Sequence, residues 1–314
     1  MKKELGIFIL LLVLCAVVSV INPRFLGAAN LQNMARLIGM YGIFSIGLGL
    51  VIITGGIDLS VGSMFALLGV LMSIMLTEWR WFGFAAVIGI LTAAVILGFF
   101  HGLLVTRARV QPFIVTLCGL LFYRGLARFV ANDETKGFGN AEGFESLRDF
   151  ATTSLLNVPM PFVILIVISA IAWLLLHRSV YGRYLLAVGR NEEAARYSGI
   201  NTKRVIASAY VLSGLLAGVS SILLAFYTNS ISPSSHGNFY ELYGIAAAVL
   251  GGCSLRGGEG SIIGIIIGAA LLQVLQNLVN LLGIPSSLNF AVMGAVILIG
   301  VIADQVLKRR AAKA

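Results

Sequence analysis

The sequence predicts an all-α, polytopic membrane protein of about ten transmembrane helices with broken or re-entrant segments, on three observations. Hydrophobic residues fill 59% of its 314 positions and charged residues only 11%, and apolar runs long enough to cross roughly 30 Å of hydrocarbon recur along the whole chain. Lysine and arginine fall unevenly on alternate connecting segments, as the positive-inside rule requires of a multi-pass chain. Glycine-rich polar clusters interrupt some of the apolar runs, and non-helical backbone at membrane depth survives only where protein or a wet cavity satisfies it.

In order, the expected spans are 5–21, 37–53, 62–77, 82–105, 110–130, 159–176, 205–227, 240–253, 261–282 and 288–307. The first follows "MKKE" and is read as a retained helix, because "INPRFLGAAN" offers only a weak signal-peptidase site. The second and third are separated by "TGGIDLSVGSM". In the fifth, Arg124 and Arg128 lie one turn apart, about 18 and 24 Å along the axis from Pro112. They are expected to snorkel to the outer interface or to pair with Asp133 or Glu134, the other reading being an outer gate or docking surface. The following loop, 131–158, carries Asp133, Glu134, Glu142, Glu145 and Asp149, and is a solvated loop or a contact for an external partner. After the sixth span comes the longest polar stretch on the inner side, about 178–204. After the eighth, "GGCSLRGGEGSI" echoes "GGIDLSVGSM", and paired breaks in two halves of a transporter point to a central pathway. In the ninth, Gly264 and Gly268 permit close helix approach.

With both ends inside, fifteen of the 22 lysines and arginines lie in cytoplasmic segments and five in outer ones, with Arg124 and Arg128 within a span. The net charge of +9 thus has a topological origin, and no soluble basic face is left for nucleic acid. No soluble domain of ordinary size fits between the spans, so residues 1–314 form one membrane domain.

The break at 54–64 contains four residues with distinct uses. Gly55 and Gly56 suit a helix end, since glycine reaches the left-handed conformation. Asp58 and Ser60 suit the start of the next helix, where side-chain oxygens cap orphan N–H groups. An aspartate at that depth is expensive, so Asp58 is read as a cap alone, as a cap with a pathway or gating role, or as an ion-coupling group. A second candidate is the amide stripe Gln273, Gln276, Asn277 and Asn280 in "AALLQVLQNLVNLLG", whose spacing places all four on one helix face. It lines a wet path, where amides trade hydrogen bonds with sugar hydroxyls, or it glues helices or a dimer together.

These motifs, "TGGIDLSVGSM", "VQPFIVTL" with "YRG", "AVGRNEEAARYSGINTKRV", "AAVLGGCSLRGGEGSIIG" and "NLLGIPSSLNFAVMGAVILIGVIAD", resemble in this order the inner-membrane permeases of bacterial ABC sugar importers. The match is to the ribose, xylose, arabinose, rhamnose and autoinducer-2 permease family, over nearly the whole chain. The resemblance implies a bacterial inner-membrane permease, working as a pair of copies or with a paralogue, driven by a cytoplasmic ABC ATPase and fed by a periplasmic sugar-binding protein. Membrane lipid is the remaining partner. Two positions depart from the family: His101 stands where Asn is common, and Glu259 where a basic residue is frequent. Within 178–204, Glu193, Ala194, Ala195 and Gly199 have the spacing of the ATPase-coupling motif. Physically, the first three favour a short helix and Gly199 its stop, which by itself fits a connecting loop equally well.

No phosphate-binding loop is present, so energy must come from a partner or an ion gradient. No Ser/His/Asp or Cys/His constellation, metal-ligand cluster or cofactor motif appears. Cys15, Cys118 and Cys253 lie apart in apolar surroundings and are read as packing residues. Two readings from other classes remain: an ion-coupled secondary transporter, expected to carry paired intramembrane acids or histidines, and a membrane scaffold. Which sugar is carried is not written in one chain.

Overall fold

The structure, a computed structural model, describes residues 2–139 and 143–285 and scattered positions from 288 to 298. Its helices in chain order are α1 (Lys2–Ile21), α2 (Ala28–Ile53), α3 (Val61–Thr77), α4 (Gly83–Thr106), α5 (Pro112–Val130), α6 (Glu145–Thr152), α7 (Met160–Trp173), α8 (Val180–Arg190), α9 (Glu192–Tyr197), α10 (Thr202–Thr228), α11 (Tyr240–Leu250) and α12 (Ile262–Leu281). Among the described residues seven helices are long and apolar enough to cross a membrane, α7 together with its continuation to Arg178 being one, while α3 and α11 are apolar but shorter. These nine occupy the first nine expected spans, and the tenth, 288–307, lies largely outside the described residues.

Burial separates a central layer from a lipid-facing one. The most apolar window of α2 is 83% buried, against 6% for α1, because α2 packs on α7, α10, α11 and α12 at once. α1 instead leaves Leu5, Phe8, Leu12 and Val20 exposed, which lipid tails accommodate at no hydrophobic cost. Glycine sets the closest contacts. A methyl group at Gly98 of α4 would overlap the Tyr210 carbonyl of α10, and one at Gly214 of α10 would overlap the Ala94 carbonyl. The expected close approach at Gly264 and Gly268 is made to Gly251 and Ala247, so it locks α12 onto α11.

α2 starts nine residues earlier than hydropathy indicates. Its first turns are polar, and other elements supply partners for much of that polarity. Asn33 accepts a 2.9 Å bond from the Tyr227 hydroxyl, and Arg36 donates to the Thr152 carbonyl at 3.3 Å. A hydropathy window stops at such residues, but the backbone does not.

Candidate translocation site

The opening break is built as the glycines dictate. α2 closes on Thr54, Gly55 takes φ +83°, and the Gly55 and Gly56 amides return to the Ile52 and Val51 carbonyls at 2.9 and 3.1 Å. The chain then turns back into the bundle. Asp58 is 2% exposed. One of its oxygens accepts from the Ser60 amide and hydroxyl at 3.0 and 2.7 Å, and the other from Ser213 of α10 at 3.2 Å. Behind Ser60 stands His101 of α4, with Nδ1 3.5 Å from the Ser60 hydroxyl and Nε2 2.8 Å from the Tyr123 hydroxyl of α5. One proton order satisfies the whole chain: Tyr123 donates to His101, His101 to Ser60 and Ser60 to Asp58. Gly119 leaves the space that the imidazole fills.

Capping differs from the expectation in one respect. The Ser60 side chain does not cap α3, because its hydroxyl is spent on Asp58. A second acid at the α3 N-terminus comes from another helix: the Glu241 carboxylate of α11 lies against Gly62. A methyl at Gly62 would overlap both that carboxylate and the Gly237 carbonyl. The two short helices therefore start side by side inside the protein, Phe65 and Tyr240 packing edge to face at 5.5 Å. Each N-terminus carries partial positive charge, answered by Asp58 and Glu241.

Sequence reasoning missed Glu241, and for Arg124 the snorkelling or pairing reading does not hold. Arg128 pairs with Asp133 at 2.6 Å as expected. Arg124 neither snorkels nor joins that pair. Its guanidinium turns inward and donates to the carbonyls of His236, Pro233 and Gly62 at 2.8, 3.1 and 3.4 Å. The signal available in the sequence was Glu241 itself, an acid one residue inside an apolar run.

The echoing break at 251–260 meets the first one. The Gly258 amide donates to the Ile53 carbonyl at 2.8 Å, and a Cβ on Gly257 would crowd the Gly55 amide. Wedged against both is Gly189 of α8, where a methyl would overlap the Ile53 carbonyl and the Gly258 amide. Next comes α9, capped by Asn191, which accepts from the Ala194 amide at 2.9 Å. Glu193 is exposed, Ala195 is buried and Gly199 turns the chain at φ +84°. Beside α9 lies a cleft of about 410 Å³ lined by Arg109, Glu192, Glu193, Arg196 and Lys203.

The amide stripe is divided. Gln273 is buried, Gln276 and Asn277 are half-buried and Asn280 is exposed. Asn277 exchanges two bonds with Asn30 of α2, 2.7 and 3.1 Å long, so at this position the amide joins helices. The stripe and the first break are not brought together by any hydrogen bond among the described residues. No group of His, Cys, Asp and Glu among them is arranged to hold a metal ion.

Against known sequences, residues 30–301 match the family described as branched-chain amino acid transport system / permease component. This chain belongs to that family. It is 39% identical to the ribose import permease of Bacillus subtilis (strain 168), over 96% of this chain and 93% of that protein. The galactofuranose transporter permease of Escherichia coli (strain K12) is 34% identical over 82% of this chain and 74% of its own length. The xylose transport system permease of the same strain is 31% identical over 92% and 88%. No solved structure matches significantly. The chain is a multi-pass helical membrane permease, as its motifs lead one to expect.

Proposed function

We propose that this chain is the membrane-spanning subunit of an ATP-binding-cassette importer for a monosaccharide or a related small polar solute. A periplasmic binding protein delivers the solute, and a separate cytoplasmic ATPase supplies the energy. Residues 1–314 act as one permease domain in the bacterial inner membrane with both termini in the cytoplasm, paired with a second copy or a paralogue. The observation that carries this reading is the junction at Gly189. There the α8–α9 segment, containing Glu193, Ala194, Ala195 and Gly199, packs through α8 on the ends of both helix breaks. Docked on an ATPase, that segment moves as a rigid lever, and the breaks it touches are where helices can pivot. Asp58, Ser60 and the glycines Gly55 and Gly56 then shape the inner half of the path. Gln273 and Gln276 remain pathway candidates, and Asn277 is helix glue.

A second reading rests on the buried Asp58, Glu241 and His101, since paired intramembrane acids mark ion-coupled carriers. Reconstitution separates the two. Uptake of labelled ribose, xylose or galactose should require ATP, the ATPase and the binding protein; uptake driven by a proton gradient with the permease alone would favour the carrier. A Gly199→Pro variant sharpens the test, because proline cannot reach φ +84°. It should insert normally while ATP hydrolysis no longer drives uptake, and normal uptake would refute the lever.

A further inference from the structure

Between α10 and α11 the chain runs through 229–239 without regular structure, yet it lies against the middle of α3. Ile231 sits over Gly69 at 3.3 Å from the position of a Cβ, the His236 ring over the same glycine at 3.8 Å, and Gly237 over Gly62 and Phe65. Non-helical backbone in such a place needs partners for its polar groups. At its outer end the segment has one bridge, Lys136 to Ile231. At its inner end the partner is Arg124, which takes the Pro233 and His236 carbonyls together with Gly62 of α3 and lies within electrostatic reach of Glu241. One cation thus ties three elements, α3, α11 and the intervening segment, to α5.

We propose that Arg124 is the latch of an outer gate: its guanidinium holds segment 229–239 down over the junction of α3 and α11, and solute enters when that hold is released. The inference rests on the permease reading of the chain and adds a residue to it. Three features fit a movable cover rather than fixed packing. Inward of the two backbone bonds of its Ile231 bridge, the segment is tied to the bundle by charge-assisted bonds to one side chain, which break together. Its inner end has two left-handed residues, Gly237 at φ +72° and Phe239 at φ +66°, the second strained for a bulky side chain, as switch segments often are. Finally, His236 is 9% exposed, and among the described residues its Nε2 has no hydrogen-bond partner. Above the segment lies a cavity of about 520 Å³ bounded by Ser232, Ser235, His236 and Asn238, so a polar solute arriving from outside meets hydroxyls and amides before it meets the latch.

The test places a cysteine under the cover. In a chain with Cys15, Cys118 and Cys253 replaced, Gly69→Cys is sealed beneath Ile231 and His236, and an impermeant thiol reagent added from outside should label it slowly. Arg124→Gln removes the charge, and labelling should then rise roughly tenfold or more, the population shift expected when a charge-assisted set of bonds is lost. Arg124→Lys keeps the charge without the fork and should fall between the two. Unchanged labelling in an Arg124→Gln protein that inserts normally would overturn the proposal. A second measurement leaves Arg124 intact: a disulfide between Gly69→Cys and Ile231→Cys pins the segment to α3. Solute uptake by the complete importer should stop on oxidation and return on reduction, and uptake that continues with the disulfide formed would also overturn it. The labelling experiment needs neither sugar nor ATPase, so it can fail while the importer reading stands. Absence of uptake in the unmodified importer would instead count against that reading.

Discussion

The two glycine breaks read alike and fold apart. Both leave a helix through a left-handed glycine, Gly55 at φ +83° and Gly252 at φ +94°, because that conformation ends a helix without a Cβ penalty. Aligned on those glycines, Asp58 corresponds to Leu255, one residue off the alignment of the Gly-Gly pairs. The residues beyond the turn decide the outcome. Asp58 finds the hydroxyls of Ser60 and Ser213 and is buried. Leu255 and Arg256 find no such set and stay exposed in a surface turn. A shared exit signal therefore does not make two equivalent sites: one break enters the protein interior, and the other serves as its floor at the α8 junction.

The largest effect expected from this difference is at Asp58. Asp58→Leu leaves two buried hydroxyls without an acceptor and should cost about 3 kcal/mol or more of stability, whereas Asp58→Asn keeps the acceptor to Ser60 and should cost about 1 kcal/mol. Leu255→Asn, at the matching position, should change stability by less than about 0.5 kcal/mol. Thermal unfolding of the detergent-solubilised protein, followed by size-exclusion chromatography, reads all three. Equal losses at the two positions would erase the distinction drawn between the breaks.

A smaller effect is expected where the breaks touch. Gly189→Ala drives a methyl into the Ile53 carbonyl and the Gly258 amide, and overpacking of this kind typically costs about 1–3 kcal/mol. Gly199→Ala meets no neighbour and serves as its control, with only the strain of a left-handed alanine. Melting temperatures that fall no further for Gly189→Ala than for Gly199→Ala would mean that the junction is slack.

The smallest effect lies away from both breaks. Asn277→Leu removes both bonds to Asn30 and should cost about 1 kcal/mol, in the range of interhelical bonds in membranes. Asn30→Leu added to it should cost less than it does alone, because only its bond to the Phe25 carbonyl is then left to lose. Uptake per folded molecule should be unchanged; a sharp loss of uptake with normal stability would return Asn277 to the pathway.

Much of this was legible in the residues. Hydropathy located nine apolar helices, and Gly55 and Gly199 were recognisable as helix ends. The upstream half of α2 was not, because Asn30, Asn33 and Arg36 look like loop residues until Asn277, Tyr227 and Thr152 are placed opposite them. Nor was the destination of Arg124. Counting 1.5 Å per residue along α5 gives its depth but not which way the side chain turns, and that depends on carbonyls more than a hundred positions later in the chain.

The sequence by itself determined that the chain crosses a membrane many times and where most of its helices end, since apolar length, glycine conformation and basic-residue asymmetry are local properties that the bilayer reads directly, and its motifs carried the permease resemblance. Only the tertiary structure decided which polar residues work together. In hydrocarbon non-helical backbone and buried charge must find partners, and those of Arg124, of the α3 N-terminus and of Asp58 at Ser213 are supplied by distant parts of the chain. Spacing within one segment therefore announced that these groups would be costly, while the packing of distant segments determined how each cost is met.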